Sequence, residues 1–333
     1  MTKFQPINDT LVFSTHICEY HPIEKDLLYN EDCKSSFDEF HRKKSMLYMM
    51  VKMARIKFIP DSFSISSDFV INGTVMVGER REKVAFNVAK YLFARSGVTD
   101  KFESWEEWAA KVMSLWKFEA SPSLTPSQAY RQYSGIDLKL STEELLYIDC
   151  KLLQSIKQGN MESRNIMSPI QLAHVFDWEV LSPLEVIYVG KSKNGVLKRT
   201  RTHDKWGAIT TDLSADEVVV VYFMDIESKS VAKREFGSLI TYEEFKEKAI
   251  DRESEALITE AAFIKHFFDE KGYNEKIVDQ DFESVSKVKE KLIARGYTSV
   301  VAELCLEGVF GKLGTQKVGY HSKHSFIHSL AEV

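Results

Sequence analysis

The sequence predicts an α/β protein, with a mainly helical N-terminal domain followed by a small unit of mixed strands and helices. Three observations lead there. Between Ser104 and Gly159 apolar residues recur at helical spacing behind cap signals. From Ala173 onward the pattern changes to short apolar runs with strand character. After those runs a helical stripe of Leu257, Ala261, Ile264 and Phe268 returns within about Arg252–Phe268.

Taken in order, Ser104-Trp105-Glu106-Glu107 reads as a capping box, with Trp105, Trp108, Ala109, Val112 and Trp116 as a core stripe behind it. Thr125-Pro126 suits a second helix start, with proline at the first helical position. A third helix is expected from a Ser141/Glu144 box through Leu145, Ile148, Leu152 and Ile156 to Gly159. The polar stretch Lys157–Asn165 closes this domain, giving a boundary after residue 165. Ala173–Trp178 and Leu184–Gly190 then read as two strands around a turn at Leu181-Ser182-Pro183. Val218–Met224 reads as a third strand, apolar on both faces and therefore central. A basic helix, Val196–Trp206, lies between the second and third strands, and Glu227–Lys248 is a charged insertion before the long helix. Residues 278–333 form a C-terminal extension with a helix at Ser284–Arg295.

Composition narrows the function. The 333 residues are 44% apolar and 28% charged, ordinary for a folded soluble chain. No run reaches the length of a membrane span, and MTKFQPINDT lacks a secretory signal, so the expected location is cytoplasmic with no membrane partner. Four scattered cysteines fit a reducing compartment. A net charge of −5 argues against nucleic-acid binding by bulk charge, so any such contact needs a local basic patch. Lys191–Lys205 is that patch, with six lysines and arginines against a single acid, Asp204.

The patch follows Gly190-Lys191-Ser192, which resembles the end of a P-loop. The glycine required five positions earlier is Glu185, whose charge would repel phosphate, and the nucleotide reading fails. Strand alternation puts Leu184, Val186, Tyr188 and Gly190 on one face, with the glycine leaving room beside the phenol. Arg199, His203 and Trp206 share a helix face, and Glu260 stands inside an apolar stripe, where a carboxylate needs a partner or a metal. Glu253 and Glu255 can lean outward. His321, His324 and His328 share a helix face in the tail, and His16, Cys18, His21 and Cys33 have an unusual spacing for zinc; both sets read as chance.

Together these pieces resemble the GIY-YIG nuclease family over about residues 170–277. Tyr188-Val189-Gly190 matches the second half of the name motif, followed by Lys191. Arg199 and His203 match its Arg-x3-His element, and Glu255–Asn274 resembles the block that carries the metal-binding glutamate, here Glu260, and a terminal asparagine, here Asn274. The resemblance implies a three-stranded antiparallel sheet flanked by helices over 166–277, and a Mg²⁺- or Mn²⁺-dependent endonuclease hydrolysing DNA, more than RNA; the layout, without a Lys-rich string of small DNA-binding modules, suits a restriction or defence role better than homing. It also implies that Glu260 holds the metal, Arg199 stabilises phosphoryl charge, and Tyr188 orients or deprotonates water with help from His203. Lys191 would touch phosphate or lower the tyrosine's pKa, Asn274 would fix the geometry at the substrate site, and Lys193, Lys198, Arg201 and Lys205 would guide the backbone. A homodimer, with residues 1–165 serving recognition or dimerisation, fits that role. The first motif's tyrosine has its counterpart at Phe176, in His174-Val175-Phe176. His174 is then either a substitute proton acceptor or a packed core side chain, and the alternative function is a degenerate scaffold that binds nucleic acid or a partner without cutting.

Overall fold

A computed structural model describes residues 6, 8–29, 46–65, 70–87, 90, 93, 99–108, 111, 134–136, 140–150, 164–179, 183–192, 196–245, 249–269, 273–274 and 285–330. Strands β1 (Asn8–Ile17), β2 (Tyr20–Glu24) and β3 (Leu47–Ala54) come first. β4 (Ile56–Phe58), β5 (Ser64–Ile65), β6 (Val70–Val77), β7 (Arg80–Asn87), β8 (Ser134–Ile136), β9 (Leu146–Cys150), β10 (Arg164–Met167) and helix α1 (Pro169–Val175) follow. Then come β11 (Leu184–Lys191), α2 (Val196–Arg201), α3 (Trp206–Thr211), β12 (Glu217–Met224), β13 (Glu227–Phe236) and β14 (Leu239–Phe245). The chain continues through α4 (Arg252–Phe267), α5 (Ser286–Ala294), β15 (Tyr297–Cys305), β16 (Leu313–Gly314) and β17 (Lys323–Ser329).

Two compact units result. Met1–Met53 and Leu181–Val333 make one, and Ala54–Val180 the other. The first unit holds two five-stranded sheets, ordered β16-β11-β3-β12-β2 and β14-β13-β1-β15-β17. Strands β3 (LYMMVKMA) and β12 (EVVVVYFM) are apolar almost throughout and buried on both faces, as interior strands must be. Helix α4 packs on β11 of the first sheet and on β15 and β17 of the second. It is buried nearly all round, and Asp251 caps it by accepting from the Ser254 N–H at 2.9 Å. The second unit holds β4-β6-β5 with β7 on β6, and β10-β9-β8. No helix among the described residues is long and apolar enough to cross a membrane.

The expected fold class needs correcting. The N-terminal region is strand-rich, beginning at β1, rather than mainly helical. The Ser104 cap does form, with its Oγ accepting from the Glu107 N–H at 3.2 Å and a helix through Trp108. Ala109, Val112, Trp116 and the Thr125-Pro126 start lie outside the described residues. The Ser141/Glu144 box is not a helix cap. Thr142 Oγ1 accepts from the Leu145 N–H and Ser141 Oγ from the Tyr147 N–H, closing a turn that feeds β9. Conversely, the expected strand Ala173–Trp178 is the end of α1, which a Ser168/Gln171 capping box and Pro169 start.

The basic helix breaks after Arg201 and resumes at Trp206 as α3, so Arg199, His203 and Trp206 do not share one continuous helix face. The charged insertion is a hairpin, β13–β14, turning at Gly237 with φ +71°. Its charges pair across the strands, Lys229 with Glu244 at 2.6 Å and Arg234 with Glu243 at 2.5 Å. Beyond α5 the C-terminal extension is strand, so the three-stranded sheet is in fact five-stranded and completed by β2, β3 and β16 from outside residues 166–277.

Candidate active site

The site forms where β11 runs antiparallel to β3. Tyr188 lies opposite Met50 and Gly190 opposite Tyr48, with a bulge between Val186 and Tyr188. Residues that oppose each other point the same way, so Tyr48 and Tyr188 share a face. The bulge at Ile187 turns Tyr188 away from the face of Val186, which corrects simple alternation along the strand. Gly190 makes the arrangement possible. A Cβ there would lie 2.5 Å from Tyr188 Cε1 and 2.6 Å from the Tyr48 hydroxyl. The two rings stack with centroids 5.9 Å apart and 22° between planes, and their hydroxyls share a hydrogen bond.

Arg199, Glu260 and His203 surround this pair. Arg199, on α2, donates to the Tyr48 hydroxyl and through Nη2 to Asp204 at 3.0 Å. Glu260, on α4, is only 8% exposed. Burial pushes both phenols above their ordinary pKa, the Glu260 charge pushes them further, and Arg199 opposes the shift. His203 sits edge-on to Tyr188, ring centroids 4.6 Å apart. Its Nδ1 accepts from the Lys205 N–H at 3.1 Å, which leaves the neutral ring's proton on Nε2. That Nε2 is buried with no hydrogen-bond partner among the described residues. Burial, with Arg199 as the next contributor, pushes the His203 pKa down to about 4, so the ring is neutral at physiological pH.

Asn274 holds the strand itself. Its Oδ1 accepts from the Val189 N–H at 3.2 Å and its Nδ2 donates to the Val189 carbonyl at 2.8 Å. Both ends of its amide are on the residue between Tyr188 and Gly190, so it positions β11. Lys191 ends β11 half-buried. Lys198 is exposed, and Lys205 is half-buried with its N–H on His203. Arg201 donates through Nε to the Leu28 carbonyl at 2.6 Å, tying α2 to the short 3-10 turn Lys25–Tyr29. Lys193 lies outside the described residues.

Phe176 belongs to the other unit. It ends α1 in the Ala54–Val180 unit, its ring 5.4 Å from Phe86, and His174 belongs to the same helix. The tyrosine that faces Tyr188 is Tyr48, which sequence reasoning missed. The signal was a tyrosine opening an apolar strand, Leu47-Tyr48-Met49, but the whole Ala54–Val180 unit separates it from Tyr188. Glu255, expected to lean outward, is buried and accepts from Ser228 Oγ at 2.6 Å. Of the tail histidines, His324 and His328 lie on β17 and His321 precedes it, and His324 uses both ring nitrogens, on His266 and on the Leu313 carbonyl.

Among the described residues no three His, Cys, Asp or Glu side chains converge as a metal cage. One buried carboxylate whose charge reaches two phenols fits a hard cation that keeps most of its waters and takes further oxygens from a phosphate, which is the coordination habit of Mg²⁺ and Mn²⁺. Comparisons of the chain with protein-family models, with curated proteins and with solved structures give no match.

Proposed function

We propose that the chain is a divalent-metal-dependent endonuclease of the GIY-YIG type that hydrolyses phosphodiester bonds of DNA. One observation carries the reading: Tyr48, Tyr188, Arg199, His203 and Glu260, from β3, β11, α2, the α2–α3 loop and α4, converge on one cluster although they are scattered through the sequence. A structural ion pair would need only two of them. Tyr48 also supplies the phenol that Phe176 does not. That placement favours cutting over the alternative of a non-cutting scaffold, which rested on the missing tyrosine.

The chain's residues divide the work as follows. Arg199, already donating to Tyr48, presents a planar fork to the non-bridging phosphate oxygens and stabilises the charge that grows there. The hydrogen-bonded phenols orient the attacking water in line with the phosphorus. His203, neutral with its proton on Nε2, is a donor in this pose and stabilises negative charge on Tyr188 as that phenol takes part in proton transfer. Glu260 would hold a Mg²⁺ or Mn²⁺ ion, which supplies Lewis acidity at the scissile phosphate and offsets the carboxylate charge that raises both phenols. Asn274 keeps Tyr188 in place by fixing the Val189 peptide. Lys191, Lys198 and Lys205 add positive charge around the approach.

The test is incubation of the protein with supercoiled plasmid, linear duplex and RNA, each with Mg²⁺ and with EDTA. Cleavage of DNA that needs the metal and is lost in Glu260→Ala, with circular dichroism unchanged, supports the reading. Absence of cleavage on every substrate, or an active Glu260→Ala, overturns it.

A further inference from the structure

The second sheet of the larger unit ends on β14, and this strand is unusual for an edge. Leu239 is 60% exposed, Ile240 47% and Tyr242 68%, so apolar side chains stand in solvent on both faces of one strand. Among the described residues no strand pairs with its outer side. Edges of this kind are normally guarded by a lysine, a proline or a bulge. The opposite edge, β17, carries Lys323 and two histidines, whereas β14 (LITYEEF) has no cation at all. Its two acids are already neutralised within the hairpin, Glu243 by Arg234 and Glu244 by Lys229.

The register of the hairpin tells which groups look outward. The two-residue turn Gly237-Ser238 makes Phe236 and Leu239 a hydrogen-bonded pair, and such pairs alternate along an antiparallel ladder. The peptide groups of Ile240, Tyr242 and Glu244 therefore point away from β13. A second β14 laid antiparallel about a twofold axis at Thr241 places Ile240 opposite the partner's Tyr242, and Tyr242 opposite the partner's Ile240. These outward-facing residues exchange backbone hydrogen bonds and join a β-branched side chain to an aromatic one. On the other face Thr241 meets its own copy and Leu239 meets the partner's Glu243. Moving the axis to Glu243 would instead set Glu243 against Glu243, crowding two arginine-paired carboxylates where the Thr241 register brings two small hydroxyls together. The strand is complementary to itself in the first register and not in that one.

We propose that β14 is the surface through which two copies of this chain associate, edge to edge and antiparallel, with the twofold axis at Thr241. The pairing is isologous and closes after two chains, so it yields a dimer rather than a fibre. A single seven-residue strand pair is a small interface, and the association is expected to be reversible and concentration-dependent.

A cysteine scan reads the register directly. Facing side chains of a non-hydrogen-bonded pair approach closely enough for a disulfide. Under oxidised glutathione, which takes the two electrons and two protons of two thiols, Thr241→Cys is expected to form a covalent dimer. Leu239→Cys, also exposed but far from its own copy, should stay at the level of the unmodified protein. Equal dimer yields from the two variants, or none from Thr241→Cys, overturn the proposal. Sedimentation of the full chain up to about 100 µM, a range suited to weak interfaces, gives a second test. The expected result is a monomer–dimer equilibrium that Tyr242→Pro abolishes by removing an outward N–H, with circular dichroism unchanged. A strict monomer, or a dimer indifferent to Tyr242→Pro, refutes it.

Discussion

The first sheet contains two stacked tyrosine pairs, and they differ in where their hydroxyls go. Tyr20 and Tyr222 stack with centroids 5.4 Å apart and planes 12° apart. The Tyr222 hydroxyl donates to the Phe310 carbonyl at 2.8 Å and that of Tyr20 to the Glu307 carbonyl at 2.8 Å, so both are tied to backbone. Tyr48 and Tyr188 stack less closely, share a hydrogen bond, receive Arg199, and feel the charge of buried Glu260. Burial raises the pKa of Tyr48, Tyr188 and Tyr222 alike. Burial and stacking therefore do not distinguish one pair from the other. The partners of the oxygen do.

That contrast can be broken from either side. The largest effect belongs to Tyr48→Phe, which removes the hydroxyl that Arg199 and Tyr188 share. Loss of a positioned proton-transfer group lowers the cleavage rate by about 10²-fold or more, while the ring still fills its place. Tyr222→Phe should do the reverse. It leaves the buried Phe310 carbonyl without its donor, which costs about 1–3 kcal/mol of stability by denaturant melting, and leaves the cleavage rate unchanged.

Acidity separates the site from its surroundings by a subtler route. The folded-state pKa of His203 is about 4, below its ordinary 6.5. Between those values the unfolded chain binds the proton and the folded one does not, so stability falls as pH drops from about 6.5 through about 4. The pH–rate profile should accordingly show no histidine ionisation of His203 between about pH 5 and 8, a window well above its folded value. A histidine resonance titrating near 6.5 and assigned to His203 would contradict this. The smallest effect is expected at Asp204, whose carboxylate holds one arm of Arg199 at 3.0 Å in a largely exposed pair. Such pairs are weak, so Asp204→Asn should lower KM only a few-fold by freeing Arg199 for phosphate, with kcat nearly unchanged.

How much was legible in the sequence follows the same division between local and distant causes. β11, β12, α4 and α5 announce themselves through apolar runs and stripes that suit buried elements, and Tyr188, Arg199, His203, Glu260 and Asn274 lie on or beside them. Tyr48 did not, because its partner strand is brought to it by tertiary pairing across the Ala54–Val180 unit, which no local pattern records. Phe176 was misassigned for a local reason: the apolar residues around it suggested a strand, but Ser168 and Gln171 had already capped a helix there. β13 and β14 were missed because β14 is exposed along nearly its whole length and the buried residues of β13, Ser230 and Ala232, are small, so neither strand displays an apolar alternation.

The most direct measurement is the first-order rate of Mg²⁺-dependent plasmid cleavage by Tyr48→Phe, with Tyr222→Phe measured beside it. The site described here predicts that Tyr48→Phe is folded and nearly inactive while Tyr222→Phe cuts at the unmodified rate. A folded Tyr48→Phe that cleaves as fast as the unmodified protein would contradict it.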